Sequence, residues 1–265
     1  MPAVAARLLR VDSSAGTESD AEAWVRRLAT PWGRLQSSLL RRRLVSWIGT
    51  DSLGSVLDVG CGLGDMTAAL AAKTDKMTCV DRSQAMLDEA QARLSASKVP
   101  ARFVQRDLDS GISDLGTHDL VIAHNVIDYT VDPRRSIREL AACVGRGGLL
   151  SLSFGNAASV ALRHVVMTHD LAEGLRLARL PDIGRLPGPC GESMRFHRVL
   201  VEEWLQDAGI TVSHRAGVRV LNDLLPNELK TDHNLAVIED LELELGERPE
   251  LVDLAAIVHV LGRCD

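Results

Sequence analysis

The chain has 265 residues, of which 46% are hydrophobic and 25% charged, and its formal net charge is −6. This length and composition predict a globular protein with a large buried core, arranged as one α/β domain with an appendage. The sequence has no apolar run long enough to span a membrane, and its N-terminus lacks the apolar core of a signal peptide. We therefore expect a cytoplasmic protein with no membrane partner. The negative charge argues against a broad nucleic-acid surface but leaves room for a local basic patch.

The sequence gives little sign of metal binding. Its five cysteines are scattered without C-x-x-C spacing, which predicts neither a zinc site nor a disulfide framework. His164 and His169 are five positions apart, a poor spacing for two ligands on one helix face. We expect no metal.

Hydrophobic periodicity predicts alternating strands and helices. After a leader of about 19 residues, two helices are predicted, separated near Pro31. Strands are predicted at 56–59, 76–81 and 102–107, from 118 onward, and at 149–154 and 211–221; helices are predicted at 66–72, 83–96, 134–144, 156–180 and 199–208. Prolines and glycines predict an irregular loop over 181–190 that reaches the binding crevice.

Residues 56–66 join a short apolar strand, a glycine turn and the start of a helix. Gly60, Gly62 and Gly64 stand at alternate positions. Glycine is needed where the backbone takes positive φ or where a ligand must approach the main chain. A dinucleotide fold would have glycine at the position of Asp65, and an acid at a helix start repels a diphosphate. The pattern disfavours a dinucleotide and leaves a structural turn in some other α/β domain as the plain alternative.

The D-x-G-x-G-x-G pattern from Asp58 to Gly64 resembles motif I of the class I S-adenosylmethionine-dependent methyltransferases. This resemblance implies S-adenosyl-L-methionine as cofactor. It also implies a Rossmann-like α/β sheet, mostly parallel with the last strand antiparallel. Residues 1–50 would form a leader and helical cap, and residues 51–265 the methyltransferase domain, with helical insertions around 156–210 and 222–250.

The resemblance also implies roles for individual residues. Asp81, at a strand end, would accept hydrogen bonds from the ribose hydroxyls, and Asp107 from the adenine amino group. His124 has three open roles, which are cofactor contact, general base and a strand-end histidine satisfied by the backbone; Asp128 is the other candidate catalytic residue. The implied cofactor-binding set is Arg34 (or Gln36 in its place), Asp58, Gly60, Cys61, Gly62, Gly64, Asp81, Arg82, Gln105, Arg106, Asp107 and His124.

Further segments are similar, in order and separation, to the bacterial tRNA 5-carboxymethoxyuridine methyltransferases. They are 124–129, 154–157, 204–209, 217–223, 241–244 and 257–260. This resemblance implies an O-methyltransferase that esterifies the carboxylate of the modified uridine at the tRNA wobble position. Arg195, Arg198 and Arg219 are the candidates for positioning that acceptor. The chain departs from the family at Cys61, where the family is richer in glycine.

Two other functions fit the same framework. One is a methyltransferase acting on the oxygen or nitrogen of a small secondary metabolite, for which His124 or Asp128 would serve as base if the acceptor were a phenol or alcohol. The other is a non-catalytic cofactor-binding module. The presence of Asp58, all three glycines and Asp81 argues against the second.

Overall fold

The computed structural model describes residues 25–26, 30–50, 52–95, 99–180, 183–188 and 191–265. The predicted leader lies outside these residues, as does the first predicted helix apart from the helical residues 25–26. In the described chain, the α-helices are α1 (Pro31–Ile48), α2 (Asp65–Leu70), α3 (Gln84–Leu94), α4 (Pro133–Ala142), α5 (Val160–Thr168), α6 (Leu171–Leu177), α7 (Arg198–Asp207), α8 (Leu235–Gly246) and α9 (Pro249–Val252).

The strands are β1 (Leu53–Val59), β2 (Thr74–Asp81), β3 (Ala101–Gln105), β4 (His118–His124), β5 (Val144–Gly155), β6 (Ile183–Gly188), β7 (Gly191–Phe196), β8 (Ile210–Val218) and β9 (Ile257–Cys264). Seven of them form one sheet in the order β3-β2-β1-β4-β5-β9-β8. The pairs β1–β2, β2–β3, β1–β4 and β4–β5 are parallel, and β9 is antiparallel. The predicted Rossmann-like fold is confirmed.

The strand order predicts where a binding crevice lies. β1 is flanked by β2 on one side and β4 on the other, so the chain changes direction along the sheet at β1. In open parallel sheets, ligands bind at the carboxyl ends of the strands at such a switch point. The glycine turn follows β1 directly, and His124 ends β4.

Local sequence signals set where the helices begin. Ser83 precedes α3, and its hydroxyl accepts a hydrogen bond from the Met86 amide. Asp132 caps α4 by accepting from the Arg135 amide, and Pro133 occupies the first turn, where its missing N–H leaves no helical bond unmade.

The described chain packs as two compact units. The first consists of the described residues within Met1–Leu39, Gly155–Arg198 and Ala216–Val258. Within it, α5 and α6 lie close together because Gly174 has no side chain; a Cβ there would stand 2.1 Å from Cγ2 of Val165.

The second unit consists of Leu40–Phe154, Val199–Arg215 and His259–Asp265. Its core is apolar and comes from both sheet and helices, with Leu44, Val56, Met77, Leu87 and Ile122 all at most 2% exposed. Burial of such side chains contributes about 25 cal/mol per Å² of apolar surface and holds the strand ends in register.

Two sequence-based predictions for residues 156–190 are wrong. The predicted helix over 156–180 is divided into α5 and α6, because His169 takes a left-handed conformation (φ 61°) and Asp170 starts α6 by accepting from the Glu173 amide. The predicted irregular loop contains β6, which pairs antiparallel with β7. Proline and glycine signal turns, but proline is tolerated in edge strands, and β6 is an edge strand of a two-stranded sheet.

Candidate active site

The glycine turn after β1 is held against the end of β2. The Gly60 and Cys61 amides both donate to the Val80 carbonyl, at 2.7 and 3.0 Å, and the Gly64 amide donates to the Cys61 carbonyl at 2.9 Å. Gly60, Gly62 and Gly64 all have positive φ, at 67°, 51° and 74°. An L-residue with a side chain is disfavoured at each of these positions.

Two of these glycines are also required by packing. A Cβ on Gly60 would stand 2.4 Å from Cγ2 of Val126, in the loop that follows β4. A Cβ on Gly64 would stand 3.0 Å from the Cβ of Ala90 on α3. The turn therefore brings bare backbone to the crevice while its neighbours pack tightly behind it.

Asp58 is buried beneath this turn. Its side chain is 4% exposed and accepts a hydrogen bond of 2.5 Å from the Thr67 hydroxyl on α2. Burial raises the pKa of Asp58 to about 7; the Thr67 bond opposes this change and the charge of Asp81 adds to it. Asp58 therefore links β1 to α2, and burial favours its protonated form.

Asp81 joins the glycine turn to the helix after β2. One carboxylate oxygen accepts from the Gly62 amide at 3.0 Å and the other from the Ser83 amide at 2.9 Å. Burial raises the pKa of Asp81, and these two backbone bonds act against the increase. Each oxygen keeps lone-pair capacity beyond its one bond, and the side chain is only partly buried, so the carboxylate can accept hydroxyl groups from a ligand.

The candidates at the end of β3 lie next to Asp81. The Arg106 amide donates to the Asp81 carbonyl, and the Gln105 side-chain amide donates to the Arg82 carbonyl at 3.1 Å. The Arg106 guanidinium pairs with Asp114. Asp107 accepts from the Asp109 amide at 2.9 Å and caps the short helix Leu108–Ser110. The structure thus groups these predicted residues along one edge of the second unit.

His124 takes part in a buried polar chain. Its Nε2 lies 2.8 Å from the Ser151 hydroxyl oxygen, which lies 2.9 Å from Nε2 of His259. The two imidazoles meet edge to face with centroids 4.9 Å apart, and Trp47 packs on His259 with centroids 4.6 Å apart. Burial lowers the pKa of His124 to about 3, and burial together with the charges of His124 and Arg43 lowers that of His259. Both rings are neutral at physiological pH.

The single hydroxyl proton of Ser151 fixes the protonation pattern of the two histidines. Ser151 can donate to one Nε2 and must accept from the other. Nδ1 of His259 is buried, with no hydrogen-bond partner among the described residues. A proton there would be a buried orphan donor, which is rarer than an unpaired acceptor. We therefore assign the His259 proton to Nε2, so that Ser151 donates to His124 and the His124 proton is on Nδ1.

The loop after β4 begins with a residue in the left-handed conformation. Asn125 has φ 57°, and its amide donates to the carbonyl and hydroxyl of Ser153 on β5. A non-glycine residue in the left-handed region is uncommon and is found preferentially at functional sites. Asp128 follows in the short helix Ile127–Tyr129, where its side chain is 5% exposed.

The sequence did not predict the residues that surround His124, which are Ser151, His259 and the Trp47 ring that packs on His259. Ser151, His259 and Trp47 come from three separate segments, and none matches a catalytic motif. One signal was present, because Ser151 and Ser153 are polar positions within the apolar run 149–154, and the structure buries both.

Arg34 and the three arginines predicted to position the acceptor lie in the first unit. Arg34 is exposed on α1. Arg195 donates to the Ser193 hydroxyl at 2.7 Å and borders a cavity of about 180 Å³ lined mainly by small apolar side chains. Arg198 forms a two-pronged ion pair with Asp253, and Arg219 pairs with Asp223.

Metal and membrane signals are weak in the part of the chain that the structure describes. It holds no group of three histidine, cysteine or acidic side chains arranged to bind a metal ion. None of its helices combines the length and the apolar character needed to cross a membrane.

Comparison with known proteins shows which proteins this chain is similar to. Residues 56–148 match the family described as a methyltransferase domain. The tRNA 5-carboxymethoxyuridine methyltransferase of Escherichia coli (strain K12) is 26% identical over 246 residues, which are 88% of this chain and 90% of that protein. A ubiquinone biosynthesis O-methyltransferase of Coxiella burnetii (strain RSA 331 / Henzerling II) is 28% identical over 137 residues, 47% of this chain and 58% of that protein.

Two solved structures share the fold. Magnesium protoporphyrin IX methyltransferase from Synechocystis PCC 6803, with bound SAH, aligns with a TM-score of 0.60 and 18% identity over 92% of this chain and 94% of its own. An N-methyltransferase from Bradyrhizobium japonicum WM9, in complex with S-adenosyl-L-homocysteine, aligns with a TM-score of 0.57 and 15% identity over 93% of this chain and 99% of its own.

Proposed function

We propose that this chain, an S-adenosylmethionine-dependent methyltransferase, methylates a carboxylate oxygen, and that its acceptor is 5-carboxymethoxyuridine at the wobble position of tRNA. The similarity to the Escherichia coli tRNA methyltransferase supports the acceptor, because it extends over 88% of this chain. With tRNA as its partner, the protein would act in the cytoplasm.

One observation carries the carboxylate assignment. His124, the histidine at the end of β4, has a pKa lowered to about 3 by burial and is a poor base at neutral pH. A phenol or alcohol must lose a proton to become a good nucleophile, so its methylation gains from a base with a pKa near 7. A carboxylate is already ionised and needs no such base. The site therefore fits an acceptor that arrives as the nucleophile.

The residues that would hold the cofactor fit it chemically. Gly60, Gly62 and Gly64 have positive φ and carry no side chains, so a ligand can approach the main chain of the turn. The Asp81 carboxylate has acceptor capacity for two ribose hydroxyls. We assign these residues to the cofactor, together with Asp58 beneath the turn and Gln105, Arg106 and Asp107 beyond β3.

When bound, S-adenosylmethionine would supply the methyl group on its sulfonium. Transfer of this group to a carboxylate oxygen would leave the electron pair of the broken carbon–sulfur bond on sulfur, as a neutral thioether. No proton is transferred. The work left to the protein is to orient the carboxylate and exclude water, which can supply several kcal/mol of the barrier reduction. His124, with its proton on Nδ1, would donate a hydrogen bond to a bound group.

A small-molecule acceptor is the second candidate. The similarity to the Coxiella burnetii ubiquinone biosynthesis O-methyltransferase and the net charge of −6 favour it. In that function Asp128, which is buried beside the end of β4, would be the base.

The test is transfer of labelled methyl from S-adenosylmethionine to tRNA that carries or lacks carboxymethoxyuridine. We expect label only in the modified tRNA, as an ester that is released by mild base. Asp81→Ala serves as the inactive control and Asp88→Ala, on the exposed face of α3, as the matched active control. No label in either tRNA, with cofactor binding intact, would exclude the tRNA function and favour a small-molecule acceptor.

A further inference from the structure

Arg195, on β7, differs from the other buried or half-buried arginines that the structure describes in the first unit. Arg163, Arg198 and Arg219 each form an ion pair with an aspartate. Arg195 is half-buried and forms hydrogen bonds to uncharged groups, with no ion pair to a described residue. A half-buried guanidinium without a counter-ion favours a bound anion, because a charge shielded from water needs a partner.

The Arg195 guanidinium is held in a fixed position. Its Nη1 donates to the Ser193 hydroxyl at 2.7 Å and to the Met194 carbonyl at 2.8 Å. The side chain lies against the bare backbone of Gly155, where a Cβ would stand 2.4 Å from Cδ and 2.8 Å from Nε of Arg195. The two bonds engage Nη1 and leave the N–H groups of Nε and Nη2 for a ligand.

The edge formed by Nε and Nη2 is the one that binds carboxylates elsewhere in the first unit. Nε and Nη2 of Arg198 donate to the two carboxylate oxygens of Asp253, at 2.9 and 3.1 Å. The same two nitrogens of Arg219 bind Asp223. On Arg195 this edge has no partner in the described part of the chain. A carboxylate ligand matches it as a two-pronged ion pair.

Arg195 also borders the cavity of about 180 Å³, which is lined by residues of α5, α6, β6 and β7. Apart from Arg195 and His197, the lining side chains are apolar, among them Ala161, Leu177 and Leu186. An engineered apolar cavity of about 150 Å³ binds benzene. This cavity therefore has room for an apolar group of that size next to a guanidinium.

We propose that this cavity binds a small monocarboxylic acid. The carboxylate pairs with Nε and Nη2 of Arg195, and an apolar body about the size of a benzene ring packs against Ala161, Leu177 and Leu186. The proposal goes beyond the tRNA function and does not depend on it. A nucleotide carries polar base and sugar groups that apolar walls leave without partners, so this ligand is a different molecule from the proposed acceptor.

The test uses benzoate as the probe and compares it with benzamide, which has nearly the same shape and no charge. Binding to the full chain is measured from methyl NMR signals. Benzoate should shift the signals of Leu177 and Leu186 and leave those of Leu87, in the core of the second unit, unchanged. Benzamide should bind about 10-fold or more weakly, because it forms no ionic hydrogen bond. Equal affinity for the two compounds would reject the role of Arg195.

Variants test the two halves of the site separately. Arg195→Gln should weaken benzoate binding about 10-fold or more and leave benzamide binding nearly unchanged. Arg185→Gln, which removes an exposed arginine from the neighbouring strand β6, is the matched control and should bind both compounds like wild type. Ala161→Leu, which adds a larger side chain to the cavity wall, should prevent binding of both. Circular dichroism shows whether each variant is folded, and wild-type benzoate affinity in folded Arg195→Gln would contradict the proposal.

A second probe covers an aliphatic ligand. The branched chain of 3-methylbutanoate is apolar and smaller than a benzene ring, so this acid should shift the same two leucine signals. If neither acid shifts them, the cavity is not a carboxylate site, whatever the result of methyl transfer to tRNA. If both acids bind and tRNA receives no label, the cavity assignment stands and the tRNA function fails.

Discussion

The hydroxyl oxygen of Ser151, on β5, lies 2.8 Å from Nε2 of His124, at the end of β4. A residue of the neighbouring strand therefore orients this histidine. The same hydroxyl lies 2.9 Å from Nε2 of His259, on β9. His259 packs against the Trp47 ring and is fully buried. Its imidazole therefore cannot rotate to form a hydrogen bond with another group. Ser151 and His259 are thus positioning residues that set which nitrogen of His124 carries the proton.

Ser151→Ala removes the bond that fixes this protonation pattern. We expect kcat/KM for methyl transfer to fall about 10-fold, which corresponds to about 1.4 kcal/mol, because His124 loses its orientation and its fixed Nδ1 proton. In ¹⁵N spectra, wild-type His124 should be protonated on Nδ1, and the variant should show a mixture of the two neutral forms. Ser151→Thr should restore both the rate and the spectrum.

The control for this change is Ser95→Ala, which removes an exposed hydroxyl after α3 that donates to the Ala92 carbonyl. Its rate and its His124 spectrum should match the wild type. A wild-type spectrum with His124 protonated on Nε2 would refute the assignment whatever the rate of Ser151→Ala.

Asp81→Ala should abolish detectable cofactor binding. The carboxylate organises the Gly62 and Ser83 amides and offers acceptors for two ribose hydroxyls. Loss of two hydrogen bonds to a charged group predicts a fall in affinity of about 100-fold or more. Isothermal titration with S-adenosylmethionine measures this change, and circular dichroism shows whether the variant is folded. Affinity close to wild type in a folded variant would remove the ribose assignment.

Asp58 predicts a particular dependence of stability on pH. Its pKa in the folded protein is raised to about 7, above an unfolded value of about 3.8, so the folded state holds the proton more tightly. The stabilisation from this group is complete below about pH 4 and is lost as the pH rises to about 7. The free energy of unfolding of wild type minus that of Asp58→Asn should therefore fall by up to about 3 kcal/mol between pH 5 and pH 8.

Urea unfolding at the two pH values measures this difference. Asp88→Asn, which changes an exposed carboxylate on α3, should keep a constant difference from wild type. A constant difference for Asp58→Asn as well would mean that Asp58 is ionised throughout this range.

Gly60→Ala should destabilise the protein more than a glycine-to-alanine change at a position where no atom lies near the new Cβ. Both Gly60 and Gly116 have positive φ, so alanine costs about 1–2 kcal/mol of backbone strain at either position. A Cβ on Gly60 also meets Val126 at 2.4 Å, whereas a Cβ on Gly116 meets nothing within 4 Å. We expect a loss of about 2–4 kcal/mol for Gly60→Ala and about 1 kcal/mol for Gly116→Ala.

Urea unfolding of both variants, and of Gly60→Ala combined with Val126→Ala, tests this difference. The double variant should regain the free energy of unfolding that Gly60→Ala loses through the collision with Val126. The loss due to backbone strain should remain. Equal losses for Gly60→Ala and Gly116→Ala would show that Val126 moves aside at little cost.

The alternation of strands and helices and the glycine turn were predictable from the sequence because both rest on local signals. An apolar strand, glycines at alternate positions and a polar strand end are properties of neighbouring residues, and Ser83 and Asp132 cap helices within three residues of themselves. The predictions of a helix over 156–180 and of an irregular loop over 181–190 were wrong, because local signals do not determine the structure of these residues. Left-handed His169 and the pairing of β6 with β7 depend on packing that periodicity does not contain.

The sequence by itself determined that Asp58, the three glycines and Asp81 stand at strand ends, because a parallel α/β chain places successive strand ends at one edge. The tertiary structure alone decided the state of His124. Ser151 is 27 positions away and His259 is 135 away, and they meet His124 because β4, β5 and β9 are adjacent in the sheet. The pKa of an imidazole depends on its burial and its partners. The sequence predicts His124 as a candidate base, whereas its burial in the folded protein makes it a neutral hydrogen-bond donor.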